Sequence, residues 1–344
     1  MNVNENLLNF SNSQSLPEWQ AYLKQQVNGL SYLFYHNDAL QQRVDRDISI
    51  KSQLIMMGKQ FNTLQLQSLL QLLTSEQVTT IRLSKPEVIA GVTVISLDLN
   101  AFPTSLKAKL DLFAQQNKLD FALMEKFPDW NKPGLVLMDM DSTTIQIECI
   151  DEIARLYGVG EQVSAVTAQA MQGKLDFNES LRTRVGKLEN APQAILKEVA
   201  DNMPLMPGLK VLLTGLKSAG WKVAIASGGF NYFADRLKVD LGFDSATANS
   251  LEIIDETLTG KVIGEIVNAQ VKARTLNELA TKFSVDMAQT VAIGDGANDL
   301  KMMAHAGLGV AVHGKPKVVE QAQAAICQGS LLQLLYMLAV PLNP

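Results

Sequence analysis

Apolar and polar positions alternate in two distinct ways along this chain. From Gln53 the segment QLIMMG has the short apolar run of a strand, LQLQSLLQLL repeats its leucines at helical spacing, and VTTIRL and VTVISLDL from Val92 read as strands again. Pro103 then opens a helix, TSLKAKLDLFAQQ, and KLDFALMEK follows as a last strand. Upstream of Gln53 only LSYLFYH, Leu30 to His36, has strand character. The order βαββαβ predicts an α+β, ferredoxin-like unit over residues 1–128, with two helices on one face of an antiparallel sheet. FPDWNKPG breaks both periodicities, so residues 129–134 read as a linker.

The second pattern begins with LVLMDMDST, Leu135 to Thr143. Its apolar run has the length of a buried strand and ends abruptly in two carboxylates, Asp139 and Asp141. Helical patterns alone then follow, from ECIDEIARLYG through APQAILKEVADNM, so a helical cap is expected over about residues 148–205. A crossover between parallel strands needs only one helix, which makes a lid the better reading of this block. Beyond Pro207 strands and helices alternate: PGLKVLLTGLKSAG, WKVAIASGG, NYFADRLKVDLG, a hairpin placed around Thr259-Gly260, a helix from Val271 to Lys282, TVAIGDGAND, KMMAHAG and LGVAVHG. Such alternation predicts a doubly wound parallel α/β sheet spanning residues 135–344.

Composition narrows the classes of function. With 47% hydrophobic and 19% charged residues the chain reads as globular throughout, and its formal charge of −5 supplies no basic stripe for nucleic acid. Cys149 and Cys327, the two cysteines, make no CxxC pattern, which suggests a reduced compartment. The first residues lack the charged start and apolar core of a signal peptide, and Leu331 to Leu342 is too short for a membrane span, so a cytoplasmic protein is expected. There is no GxxxxGK[ST], no GxGxxG after a strand, no GxSxG and no HExxH, and His36, His305 and His313 are scattered.

Three predicted strands end in polar residues of different kinds: Asp139 with Asp141, Ser227-Gly228-Gly229, and Asp295 with Asn298 and Asp299. Lys272 lies at a helix start between the last two. In a parallel sheet all such ends face one rim, where ligands collect. Carboxylates from two strand ends suit Mg²⁺, and a serine, glycine N–H groups at a helix N-terminus and a lysine together suit a phosphate. Taken singly, each feature also has an ordinary reading as an Asx turn, a glycine turn or a solvated lysine. Their joint order describes phosphoryl transfer onto or from a small phosphomonoester.

That order, DMDST, then SGG, then Lys, then GDGAND, resembles the haloacid dehalogenase superfamily. The longer stretches DMDSTTIQIECIDEIA, AMQGKLDFNESLRTRV, ASGGF and AIGDGANDLKMM narrow the resemblance to its bacterial branch acting on O-phosphoserine, over Gly134 to the C-terminus. The resemblance implies Asp139 as nucleophile and Asp141 as acid and base. It also implies Mg²⁺ held by Asp139, Asp295 and the main-chain carbonyl of Asp141. Ser227, Gly228, Lys272 and Asn298 would sit around the phosphoryl group with Asp299 in support, and Glu148 and Arg184 would take the ammonium and carboxylate of an amino acid. Met171 and Phe177 would form an apolar wall. The N-terminal part is similar to ACT-like domains, which makes it a packing, homodimerisation or amino-acid-sensing module. Competing readings are another small-molecule phosphatase or phosphotransferase, and a regulatory amino-acid-binding protein.

Overall fold

The computed structural model describes residues 16, 18, 32–36, 39–43, 49–171 and 174–339. Contacts divide it into two units, one of residues up to Asp129 together with those from Val319 onward, the other Trp130–Val318. The chain from Val319 was expected with the second unit, and its contacts explain the difference. Buried Asp120 accepts the backbone N–H groups of Cys327 (2.6 Å) and Gln328, and Tyr336 donates to the Ile89 carbonyl at 3.0 Å.

In the first unit the strands are β1 (Tyr32–His36), β2 (Ala39–Arg43), β3 (Ser52–Gly58), β4 (Ile81–Leu83), β5 (Glu87–Ile89), β6 (Val92–Leu99) and β7 (Asp120–Met124). Helices α1 (Thr63–Ser75) and α2 (Leu106–Asn117) follow β3 and β6. The path β7-β3-β6-β4 is antiparallel throughout, which is the expected ferredoxin-like βαββαβ arrangement, extended by β1 and β2 beyond β4. Leu66, Leu69, Leu70 and Leu73 of α1 and Leu106, Leu110 and Phe113 of α2 share one core with Leu54 and Met56 of β3. Asn62 and Gln65 close a capping box at the start of α1. The second helix begins at Leu106 rather than beside Pro103, whose carbonyl accepts the Leu106 N–H in the preceding turn.

The second unit is built on β8 (Leu135–Met138), β9 (Lys222–Phe230), β10 (Ser245–Ile254), β11 (Thr257–Ile263), β12 (Thr290–Gly294) and β13 (Leu308–Val312). Their order is β11-β10-β9-β8-β12-β13, all parallel except the β10–β11 hairpin. The mixed, mostly parallel sheet confirms the α/β expectation. Leu135 to Met138 are fully buried because β8 has strands on both sides and helices on both faces. The chain runs to opposite sides of β8, so Asp139 emerges at the switch point where such sheets bind ligands.

Helices α3 (Cys149–Tyr157), α4 (Gly160–Met171), α5 (Phe177–Gly186) and α6 (Ala194–Asp201) form the inserted cap. Two antiparallel segments join it to the sheet, with Gln146 donating to Pro204 and Met206 to Thr144, each at 2.9 Å. A second seam runs along β11. Asn190 donates to Leu258, Leu258 to Ala191 and Gln193 to Glu256, at 2.8–2.9 Å. The hairpin turns at Asp255-Glu256, both at positive φ (50° and 58°), and not at Thr259-Gly260 as expected. Gly260 (φ 74°) instead lies inside β11, where a Cβ would meet Glu189 and Gly186 of the cap at 3.0–3.3 Å. After β9 come α8 (Asn231–Leu241) and later α9 (Ala269–Lys282), while α7 (Leu209–Ser218) precedes β9 and α10 (Leu300–His305) follows β12.

Candidate active site

The loop after β8 curls around the Met140 carbonyl, which accepts the N–H groups of Thr143, Thr144 and Ile145. Ser142 sits at φ 55°, a conformation that costs a non-glycine residue roughly 1–2 kcal/mol and needs support from its surroundings. Its hydroxyl donates to Glu148 Oε1 at 2.7 Å, so the loop aims Glu148, the N-cap residue of α3, at the adjoining cavity. Asp139 is anchored by its N–H to the Ile293 carbonyl of β12 (2.9 Å), and its Oδ1 accepts the Met140 N–H at 2.7 Å.

Lys272, on α9, is fully buried, a position that would ordinarily strip a lysine of its proton. Its Nζ lies 2.8 Å from Asp139 Oδ1 and 2.6 Å from Asp299 Oδ1, and these two carboxylates overcome the loss of water and hold it above the ordinary lysine range. The other Asp299 oxygen accepts the Gly296 N–H at 3.0 Å. Gly294 ends β12 directly under this carboxylate, where a Cβ would lie 2.3 Å from Asp299.

Asp141 is buried and differs from Asp139 in its environment. Burial, reinforced by the charges of Glu148 and Asp139, pushes its carboxyl well above the usual range, while the Cys149 thiol and N–H pull against that. Its Oδ1 has no hydrogen-bond partner. A carboxyl group raised in this way is suited to hold a proton for transfer. Asp295 is pushed up to about 6 by burial and then by Asp139, and accepts a hydrogen bond from Thr143.

Carboxylate oxygens of Asp139, Asp295 and Asp299 lie within 4.8 Å of one another, a donor set of hard oxygens that fits a divalent metal ion. Two of these, Asp139 and Asp295, belong to the expected metal set, in which Asp141 was to contribute its main-chain carbonyl. The Asp141 side chain points elsewhere, toward Cys149 and the Ser-Gly-Gly loop, where a Cβ on Gly229 would lie 2.7 Å from its Oδ2. Asp299 is a third carboxylate in the cluster that was not expected there.

Ser227 is fully buried and its Oγ accepts the Gly229 N–H at 2.9 Å. Strand β9 runs on through Phe230, so the Gly228 and Gly229 N–H groups are not in the first turn of α8 as expected. Gly228 is small for a visible reason: a Cβ there would stand 2.8 Å from the Phe177 ring of the cap.

A cavity of about 300 Å³ is lined by Asp139, Asp141, Glu148, Ser227, Gly228, Arg184, Asp295 and Asn298. It thus brings together every expected site residue except Lys272, which lies behind Asp139, and its partner Asp299. Its size suits a small metabolite. Phe177 is on its wall as expected, whereas the side chain of Met171 lies outside the described residues. The Arg184 Nε is buried without a partner, a donor available to an anion. Asp151 and Lys315 also line the cavity, and nothing in their spacing had singled them out. Asn249, buried behind Gly228, was missed as well, because a lone asparagine in a strand carries no signal of its own.

Sheet, cap and strand-end carboxylates define a class, and the comparisons agree. The haloacid dehalogenase-like hydrolase family matches residues 133–307, and the chain belongs to that family. It is 59% identical over 209 residues to a phosphoserine phosphatase of Vibrio cholerae serotype O1, covering 61% of this chain and 64% of that one, and thus slightly under two thirds of that relative. It is 53% identical to the phosphoserine phosphatase of Haemophilus influenzae, over 66% of this chain and 72% of that one. Among solved structures, a probable phosphoserine phosphatase from Vibrio cholerae is similar at TM-score 0.71 and 44% identity, covering 86% of this chain and 88% of that one.

Proposed function

We propose that this hydrolase is a phosphoserine phosphatase, releasing serine and phosphate as the last step of serine synthesis. The observation that carries the proposal is one cavity lined by two kinds of group. Its lining joins Asp139, Asp295 and Ser227 to Glu148 and to Arg184, whose buried Nε has no partner. The opposite charges of Glu148 and Arg184 match an ammonium and a carboxylate on one small molecule, which a sugar phosphate lacks.

Asp139 is the nucleophile. Lys272 and the Met140 N–H both hold Oδ1, which leaves Oδ2 to attack phosphorus and form an aspartyl phosphate. Asp141, protonated in its buried setting, gives its proton to the departing serine oxygen and then takes one from the water that hydrolyses the aspartyl phosphate. Ser227, the Gly228 N–H and Asn298 bind phosphoryl oxygens, while Lys272 balances the charge that Asp139 brings against the phosphate, and Asp299 keeps Lys272 charged and in place. Mg²⁺ would suit this site, held by Asp139, Asp295 and the main-chain carbonyl of Asp141, and would screen the nucleophile from the anionic phosphate; Asp139 and Asp295 belong to the carboxylate cluster. Phe177 and the other cap residues exclude water from the cavity.

The N-terminal unit is an ACT-like module for packing or homodimerisation, and the site of action is the cytoplasm. Among the described residues no helix is long and apolar enough to cross a membrane. Phosphate release from a panel of phosphomonoesters, with Mg²⁺ and with EDTA, tests the proposal. Preference for phosphoserine and loss of activity in EDTA are expected; a preference for a sugar phosphate would refute the substrate.

A further inference from the structure

Ser227 and Lys272 lie on separate segments, β9 and α9, yet must act on the same phosphoryl group, one directly and the other through Asp139. We infer that Asn249 is the positioning residue that locks these segments together. The inference rests on the phosphoryl-transfer reading above and assigns a residue that the reading does not use.

Asn249 is 1% exposed and lies on β10, where the pairing with β9 shifts register between Thr247 and Asn249. Such an irregularity re-aims a side chain, and here it carries the amide under the Ser-Gly-Gly loop. Its Nδ2 donates to the Gly228 carbonyl at 2.8 Å, and its Oδ1 accepts the Val267 N–H at 2.8 Å. A carbonyl can only accept and a backbone N–H can only donate, so the orientation of the amide is determined by its partners. Val267 immediately precedes Asn268, the N-cap of α9, whose side chain accepts the N–H groups of Gln270 and Val271. Asn268 also donates to Asn178 on cap helix α5 at 3.3 Å. Lys272 follows one turn later, its N–H bonded to the Asn268 carbonyl at 2.9 Å. The path from the phosphate loop to the lysine therefore crosses one buried side chain.

The decisive variant is Asn249→Asp, which keeps the shape and the acceptor for Val267 but sets an oxygen against the Gly228 carbonyl. Asn249→Ala removes both contacts. Misplacing a phosphate-binding group by about 1 Å should lower kcat/KM by on the order of 10²-fold. The loss should be equal for phosphoserine and for a phosphate ester without a carboxylate, since only the phosphoryl end is disturbed. Inhibition by inorganic phosphate should weaken about tenfold, the cost of one lost hydrogen bond. Both are measured beside the folded fraction from circular dichroism, because mere loss of fold lowers the amount of active protein and leaves the phosphate inhibition constant alone. The inference is overturned if that constant stays at its wild-type value in Asn249→Asp, or if neither variant folds, which would assign Asn249 to stability. Wild-type protein that neither releases nor binds phosphate would instead refute the function proposed above.

Discussion

Each unit of this protein buries carboxylates, and the two units treat them in opposite ways. In the first, Asp98 is fully buried and saturated: Gln53 donates to one oxygen at 2.9 Å and Arg82 grips the other through two nitrogens. Asp120 is closed off by backbone N–H groups of the Cys327 segment. In the second, three carboxylates crowd within 4.8 Å and an oxygen of Asp141 has no partner. Buried charge with all its hydrogen bonds made holds a fold together; buried charge left crowded or unsatisfied costs stability and persists where chemistry needs it. The contrast singles out the carboxylates of the second unit as the candidate active site without reference to any relative.

The strongest way to break the comparison is Asp139→Asn. Phosphate release should fall by on the order of 10⁴-fold or more, as for other nucleophiles, while the protein still folds. Activity surviving that change would remove Asp139 from its role. Next, Arg82→Ala and Lys272→Ala each abandon a buried carboxylate and should each cost about 3–5 kcal/mol in denaturant unfolding. Only Lys272→Ala should also abolish turnover under folding conditions. Equal effects on turnover would erase the distinction between the units.

A smaller effect is expected from Arg184→Ala, which should raise KM for phosphoserine by about 10–100-fold, the worth of a charge-assisted pair. KM for a phosphate ester lacking a carboxylate should hardly move, and parallel losses on both would refute the role of Arg184. The smallest effect concerns pH. A carboxyl raised in the folded state stabilises the protein at low pH, and that contribution is lost as pH rises through the folded value, about 6 for Asp295. Metal-free Asp295→Asn should therefore melt higher than metal-free wild type at pH 8 and show little difference at pH 5. The opposite trend would mean that Asp295 is not strained by its neighbours.

Much of this could be read before the structure, for identifiable reasons. Leu135–Met138 announces a central strand because a strand buried on both faces must be continuously apolar. Asp139 and Asp141 could have been an Asx turn at its end, and only the order of Ser227, Lys272 and Asp295 downstream set them apart. Lys272 was legible only through its order among the other motifs, since a helix says nothing about which lysine will be buried. The β10–β11 turn was misplaced because Thr259-Gly260 has turn chemistry, whereas Asp255 and Glu256 adopt the left-handed conformation under tertiary constraint. Gly260 answers to the cap rather than to a turn. Strands β4 and β5 are too short for periodicity to delimit, and Asn249 acts through two backbone groups that no local pattern reveals.

The seam between residues 190–193 and β11 also bears on solubility. A sheet edge with unpaired N–H and C=O groups is a template onto which another chain can add, and Ile254 and Ile263 expose 57% and 49% of their surface nearby. The segment that tethers the cap occupies that edge first. Substitutions that loosen it would expose a ready nucleus for intermolecular β-pairing. Damage in this part of the cap would therefore show as aggregation at high protein concentration before it showed as a change in substrate affinity.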